Sequence, residues 1–250
     1  MAGMTGAAMR SLFGVPGPAV LPVIHVQDSQ QTRANIAVAV GEGAAGCFLI
    51  NHDFGIERFL PIIRDARAAH PALWLGVNFL AVTGRDAFPV LGALAAEGCR
   101  IDAYWADDAR IDEHAARQIQ AAEIDAVRAA SGWRGLYFGG TAFKKQRPVQ
   151  PTHWAAAAAL AAGHMDAVTT SGAATGIEAG ADKIAVFRRA VGDRPLALAS
   201  GITPENAATY READAFLVAT GINRVGDFYR IDPARLAALM RATRRLGEAR

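Results

Sequence analysis

Lys144 stands just past an apolar run at residues 135–141, where a lysine can pair with an anion, polarise a carbonyl, or form a Schiff base if its pKa is depressed. Its neighbour Lys145 reads as a solvated surface residue. Asp53 follows another apolar run and offers a proton donor or acceptor, with Asn51 and Asn78 placed to hold a substrate oxygen. The competing reading of Asp53 is a helix cap, and Asp28 carries the same ambiguity. A third group comprises Ser171-Gly172, Ser200-Gly201-Ile202 and Gly221-Ile222. Small residues there let backbone amides approach a ligand phosphate, and neighbouring hydroxyls add donors. Their structural alternative is the tight turn that any strand-to-helix connection needs. His52, Asp53 and Asp107 lack the paired histidine spacing of a metal site, and Asp107-Asp108, which could bind Mg2+ through oxygens, reads better as a solvated acidic loop, so no metal is expected. No serine sits in a nucleophile-elbow context.

These groups must be brought together by the elements that carry them. Eight short apolar runs, at residues 19–26, 46–52, 73–80, 101–105, 135–141, 165–171, 195–200 and 215–220, alternate with stretches of helical apolar spacing such as Ile56-Phe59-Leu60-Ile63 and Ile184-Phe187-Val191. Continuous rather than alternating apolar runs mark parallel strands covered on both faces. Thr203-Pro204 and Asp232-Pro233 each set a capping side chain before a proline suited to a first helical turn. An open, doubly wound sheet would favour a glycine-rich turn after the first strand, but Val26-Gln27-Asp28-Ser29 offers none. The pattern predicts an α/β fold, a single-domain (β/α)8 barrel over residues 19–250 preceded by a loose lead-in at residues 1–18. In such a barrel every candidate above falls at the carboxyl end of a strand, the end that carries function.

Bulk properties narrow the class of partner. The 250 residues are 52% hydrophobic and 20% charged with a net charge of +2, which gives no electrostatic case for nucleic acid. No apolar stretch reaches the roughly 18 residues needed to span a bilayer. Cys47 and Cys99 match no zinc or redox spacing and read as core thiols, consistent with a reducing cytoplasm.

The sequence resembles the BtpA/SgcQ-like family of barrels. The resemblance is carried by Gly76-Val77-Asn78, Phe143-Lys144, Thr170-Ser171-Gly172-Ala173-Ala174-Thr175-Gly176, Ala199-Ser200-Gly201-Ile202-Thr203-Pro204-Glu205-Asn206 and Thr220-Gly221. It is closer in the carboxyl-terminal half. It implies a ribulose-phosphate-binding-type barrel with an anion site formed by the seventh and eighth strands. The chain departs from the family pattern at Ile50, where an acid is expected beside Asn51, and at Lys145, where a histidine is expected after Lys144. A photosystem role, from which the family is named, is not carried over.

Together these features predict an isomerase or lyase acting on a small phosphorylated metabolite without a cofactor. Lys144 would stabilise developing negative charge and Asp53 would move a proton. Ser171, Gly172, Ser200, Gly201, Ile202, Gly221 and Ile222 would hold the phosphate. The alternatives are a non-catalytic anion-binding or assembly protein and a Schiff-base aldolase working through Lys144. A homodimer is compatible with the fold, though no apolar patch in the sequence marks its face.

Overall fold

The computed structural model describes residues 4–248. Eight parallel strands close into a barrel in chain order: β1 (Ala19–Val26), β2 (Gly46–Asn51), β3 (Trp74–Phe79), β4 (Ala103–Ala106), β5 (Leu136–Gly140), β6 (Ala167–Ser171), β7 (Leu196–Ala199) and β8 (Ala215–Val218). β8 pairs back onto β1 through Ala19 opposite Ala215, which leaves no sheet edge. Helices α2 (Ser29–Gly41), α3 (Ile56–Ala69), α4 (Gly84–Ala96), α5 (Ile119–Ala130), α6 (Trp154–Ala161), α7 (Ala181–Val191) and α8 (Pro233–Glu248) follow β1 to β6 and β8.

Two expected features differ. The connection after β7 holds only a 3-10 turn at Ala207–Tyr210 rather than an α-helix; the Thr203 hydroxyl accepts the N–H groups of Glu205 and Asn206 as a helix cap does, but the chain turns at Arg211 and enters β8 at Ala215. The amino-terminal segment is not a loose lead-in. It forms α1 (Gly6–Leu12), capped by Thr5, and buries Met9 and Phe13 beneath the barrel.

Inward-facing side chains alternate large and small around the barrel. Phe48, Trp105 and Phe138 meet edge-to-face, with Phe48 centroids 6.0 Å from Trp105 and 5.4 Å from Phe138, and they fill space left by Ala197, Ala199 and Ala215 on the opposite wall. α1 closes the lower end of this interior, where Phe13 meets Trp74 edge-on at 4.9 Å. A second, outer core lies between strands and helices, so each strand is apolar on both faces. Cys47 is buried in that outer core, where burial pushes its thiol up to about 12, and Cys99 packs at its margin; both are free thiols.

The lower rim is tied by a repeated device. Asp102, Asp166 and Asp214 each precede an even-numbered strand and pair with an arginine from the helix before the preceding strand, namely Arg67 of α3, Arg128 of α5 and Arg188 of α7. Each carboxylate also accepts a strand N–H, from Leu75, Tyr137 and Leu196 respectively. Arg10 of α1 adds a second guanidinium to Asp214.

Candidate functional site

The carboxyl ends of the strands converge on a small, partly open cavity of about 40 Å3. Its walls include His25 from β1, His52 after β2, Trp105 on β4, Asp107 after β4 and Lys144 after β5. Strand alternation explains the set. His25 and Trp105 continue the inward-facing series of Val23 and Ala103, and Asp107 sits two residues beyond Trp105.

Asp107 is buried, and its carboxyl accepts a hydrogen bond from Asn78 Nδ2 at 3.1 Å. Burial pushes its pKa up, against the Asn78 bond and the nearby lysines. Burial likewise pulls Lys144 down to about 8; the Asp107 charge works against that shift and Lys145 works with it. The Lys144 backbone is fixed by its N–H, which donates to Ser171 Oγ at 2.8 Å. The indole N–H of Trp105 and Oδ1 of Asn78 are buried and meet no hydrogen-bonding partner in the protein. Such groups are costly to leave unpaired, and of the two Trp105 lines the cavity, where a polar ligand could meet it.

Burial holds His25 at about 4, so it is neutral near pH 7. Its Nδ1 lies 2.9 Å from the Phe228 carbonyl, which can only accept, so Nδ1 carries the proton and Nε2 is an acceptor. Phe228 stacks on the His25 ring with centroids 3.7 Å apart, and His52 meets His25 edge-on at 4.7 Å. Burial and Lys145 lower the pKa of His52 as well. Phe228 belongs to a strap between β8 and α8. Gln31 and Asn35 of α2 anchor the strap by donating to the Tyr229 carbonyl, each at 2.7 Å.

Of the residues singled out from sequence, Lys144 and Asn78 meet around Asp107. Asn51 and Asp53 do not join them. Asn51 spends Nδ2 on the Phe54 carbonyl and Oδ1 on the Leu80 N–H, so it shapes the loop after β2. Asp53 is exposed and accepts the Tyr229 hydroxyl at 2.7 Å, which makes it a strap anchor, while Gly55 is the residue at the α3 N-cap. Asp28 caps α2 through the Gln31 N–H. Asp108 accepts the Arg110 N–H in its own loop. Among the described residues no group of three His, Cys, Asp or Glu side chains is placed to hold a metal, and no helix is long and apolar enough to cross a membrane.

The small residues expected to cradle phosphate are packed against the protein's own backbone. A Cβ on Gly201 would lie 2.3 Å from Glu178 Cα, one on Gly172 2.2 Å from the Ile177 carbonyl oxygen, and one on Gly221 1.8 Å from the Ile202 carbonyl oxygen. Ser200 Oγ accepts the Gly176 N–H and donates to the Ala174 carbonyl, both at 3.0 Å, clasping the loop after β6. Ser171 Oγ accepts the Lys144 N–H and donates to the Gly172 carbonyl. The Ile222 N–H is spent on the Ala219 carbonyl, and the Ile202 side chain is buried in the outer core. Close approach is what these glycines permit, but here the approaching group is the loop of residues 172–180 at Gly172 and Gly201 and the Ile202 carbonyl at Gly221.

Sequence reading missed Lys183 of α7. Its ammonium is buried and donates to the Ala142 carbonyl at 2.6 Å and the Ser171 carbonyl at 2.8 Å. The signal was present, since Lys183 lies four residues before Phe187 on the buried face of α7, where a lysine is out of pattern.

A family model described as the BtpA family matches residues 72–245. No curated protein sequence matches the chain. Among solved structures, the tryptophan synthase alpha subunit from Legionella pneumophila str. Paris superposes with a TM-score of 0.63 at 15% identity over 99% of this chain and 100% of that one. Phosphoribosyl anthranilate isomerase from Thermus thermophilus gives a TM-score of 0.60 at 16% identity over 92% and 99%. The 2-keto-3-deoxy-6-phospho-gluconate aldolase from Zymomonas mobilis gives 0.58 at 11% identity over 93% and 95%. At these identities the likeness is one of fold.

Proposed function

This chain belongs to the BtpA family, and from that premise we propose that it is an isomerase or lyase acting at the carbonyl group of a small phosphorylated metabolite. The observation that carries this reading is that Lys144, held at about 8, and buried Asp107, whose pKa is raised, line the same cavity and feel each other's charge. At pH 7.5 about a quarter of an amine with that pKa is neutral and nucleophilic. A carboxyl raised by burial is suited to passing a proton to and fro. Fold relatives that include a phosphoribosyl anthranilate isomerase and a phospho-gluconate aldolase support the same class.

In the lyase form, neutral Lys144 Nζ attacks the carbonyl carbon to give a carbinolamine. Asp107 protonates the departing hydroxyl, water leaves, and an iminium ion remains. The carbon–carbon bond next but one to nitrogen then breaks, its electron pair moves into the iminium to form an enamine, and ionised Asp107 takes the proton of the hydroxyl on the departing fragment. Return of that proton to the enamine carbon and hydrolysis by water release the second product and free Lys144. In the isomerase form the ammonium of Lys144 polarises the carbonyl while Asp107 moves a proton between adjacent carbons.

Borohydride reduction in the presence of pyruvate and other small carbonyl compounds tests the covalent route. The expected product is a stable mass adduct on Lys144, absent from Lys144→Met. Adduct formation spread over surface lysines, or none at Lys144 across a broad panel that includes a proven substrate, rejects that route. A non-catalytic anion binder is favoured instead if no compound is turned over and thermal shifts respond to phosphate esters alone.

A further inference from the structure

The catalytic lysine opens onto two cavities. Besides the mouth of the barrel, Lys144 and Lys145 line a lateral groove of about 430 Å3 between the loops after β5 and β6, bounded by Trp154, Gly172, Ala173 and Lys183. We infer that this groove, rather than the ends of β7 and β8, holds the phosphate group of the substrate whose carbonyl sits at Lys144. The inference rests on the reading of Lys144 given above.

The first support is Lys183. It is only 8% exposed, and no charged neighbour contributes to its pKa, which burial alone draws down to about 8. A buried ammonium without a counter-charge is expensive. Its bonds to the carbonyls of Ala142 and Ser171 tie together the ends of β5 and β6 beyond the last paired residues, Gly140 and Thr169. A neutral amide could tie two carbonyls at lower cost, so the retained charge calls for an anion. Two of three ammonium protons are spent on the carbonyls, which leaves one for a ligand in the groove the side chain lines. The rings of Trp154 and Phe187, 5.6 and 5.7 Å from Nζ, hold the cation in place without neutralising it.

The second support is the balance of charge along the groove. Lys144, Lys145, Arg147 and Lys183 line it, against a single carboxylate, Glu178, whose Oε2 is occupied by the Asn206 amide at 2.6 Å. Arg147 is engaged by Glu113, so the three lysines are the groups that face an incoming anion. The third support is that Gly201 and Gly221 are buried and line neither the mouth nor the groove. A monophosphate ester fits this chemistry, with its carbon chain running past Lys144 into the mouth.

The test uses the full chain and a titration of ribose 5-phosphate and inorganic phosphate followed by phosphorus NMR or calorimetry. Ala173→Asp adds a carboxylate to the groove alone, and Thr220→Asp adds one to the mouth at β8 alone. The inference expects at least a tenfold loss of affinity in Ala173→Asp and in Lys183→Met, with a change under twofold in Thr220→Asp. The reverse pattern, or no binding of either probe at millimolar concentration, overturns it. If Lys183→Met does not fold, Ala173→Asp decides, since that residue is exposed. Pyruvate trapping at Lys144 needs no phosphate. An adduct with phosphate binding insensitive to Ala173→Asp therefore rejects the groove alone, and groove-dependent binding without an adduct rejects the carbonyl reading alone.

Discussion

At the amino-terminal rim of the barrel Asp102, Asp166 and Asp214 are each met by an arginine and a strand N–H, whereas at the carboxyl-terminal rim Asp107 is met by an amide alone. Both rims combine acidic and basic side chains. At the lower rim the charges cancel within hydrogen-bonding distance and fix the spacing of successive strands. At the upper rim they are buried without being cancelled, and Asp107, Lys144 and Lys183 titrate away from their ordinary ranges. Pairing turns a carboxylate into a structural tie, while partial pairing in a buried position leaves it available for proton transfer.

The sharpest way to break this contrast is to remove one charge from each rim. Asp214→Ala strands Arg188 and the Leu196 N–H and is expected to cost about 3–5 kcal/mol, the range for breaking a buried pair. Lys144→Met removes a cation that burial penalises, and its effect on stability stays within about 1 kcal/mol while adduct formation disappears. Urea unfolding at pH 7 measures both. Equal losses for the two variants would erase the distinction between the rims.

Acid titration is the next probe. His25 titrates at about 4 in the folded protein against 6.5 in the unfolded chain, so between those values the unfolded state binds more protons and stability falls as pH falls. That contribution, at most about 3 kcal/mol, is fully present above pH 6.5 and gone below pH 4. His25→Asn keeps a donor for the Phe228 carbonyl without a titrating ring. Its unfolding free energy is expected to fall less steeply than wild type from pH 7 to pH 4.5, and parallel slopes would remove His25 from the account. A smaller effect is expected at Lys144. Because the Asp107 charge raises its pKa, Asp107→Asn lowers it further below about 8. Acylation of Lys144 at pH 7, followed by peptide mass spectrometry, should then quicken severalfold relative to wild type.

The contrast between rims also explains what could be read from the sequence. The strands were legible because burial on both faces writes a continuous apolar run, and β1 falls at Ala19–Val26 as expected. Lys144 and Asn78 were legible because position at a strand end is itself the signal. Asp53 and Asn51 occupy equivalent positions, yet their partners, Tyr229 and Leu80, come from other loops and leave no local trace. The glycines carried a true signal of close approach but not the identity of what approaches, which is the loop after β6 at Gly172 and Gly201 and the Ile202 carbonyl at Gly221. The lower rim left no distinct mark, since the Asp-Ala at Asp102-Ala103, Asp166-Ala167 and Asp214-Ala215 recurs inside helices at Asp65-Ala66, Asp86-Ala87 and Asp125-Ala126, and the pairing arginines lie far off in sequence. Helix α1 was hidden because Met9 is its one side chain in the interior cluster, joined by Phe13 at the C-cap.

The smallest expected effect concerns the strap that covers the mouth. Its backbone is anchored by Gln31, Asn35 and Asn223, which together hold the carbonyls of Phe228 and Tyr229. The Tyr229 hydroxyl adds one further bond, to an exposed carboxylate on Asp53. Exposed partners of this kind contribute little, so Tyr229→Phe should cost below about 1 kcal/mol. If Asp53 were instead a proton donor at the reacting centre, Tyr229→Phe would disturb its hydrogen bonding and alter the pH profile of turnover. The expected outcome is an unchanged profile and an unchanged rate of adduct formation at Lys144, with Asp53→Asn behaving alike. A large loss in Asp53→Asn, with the fold intact by circular dichroism, would return Asp53 to the chemistry and move the functional boundary outward from the cavity to the strap.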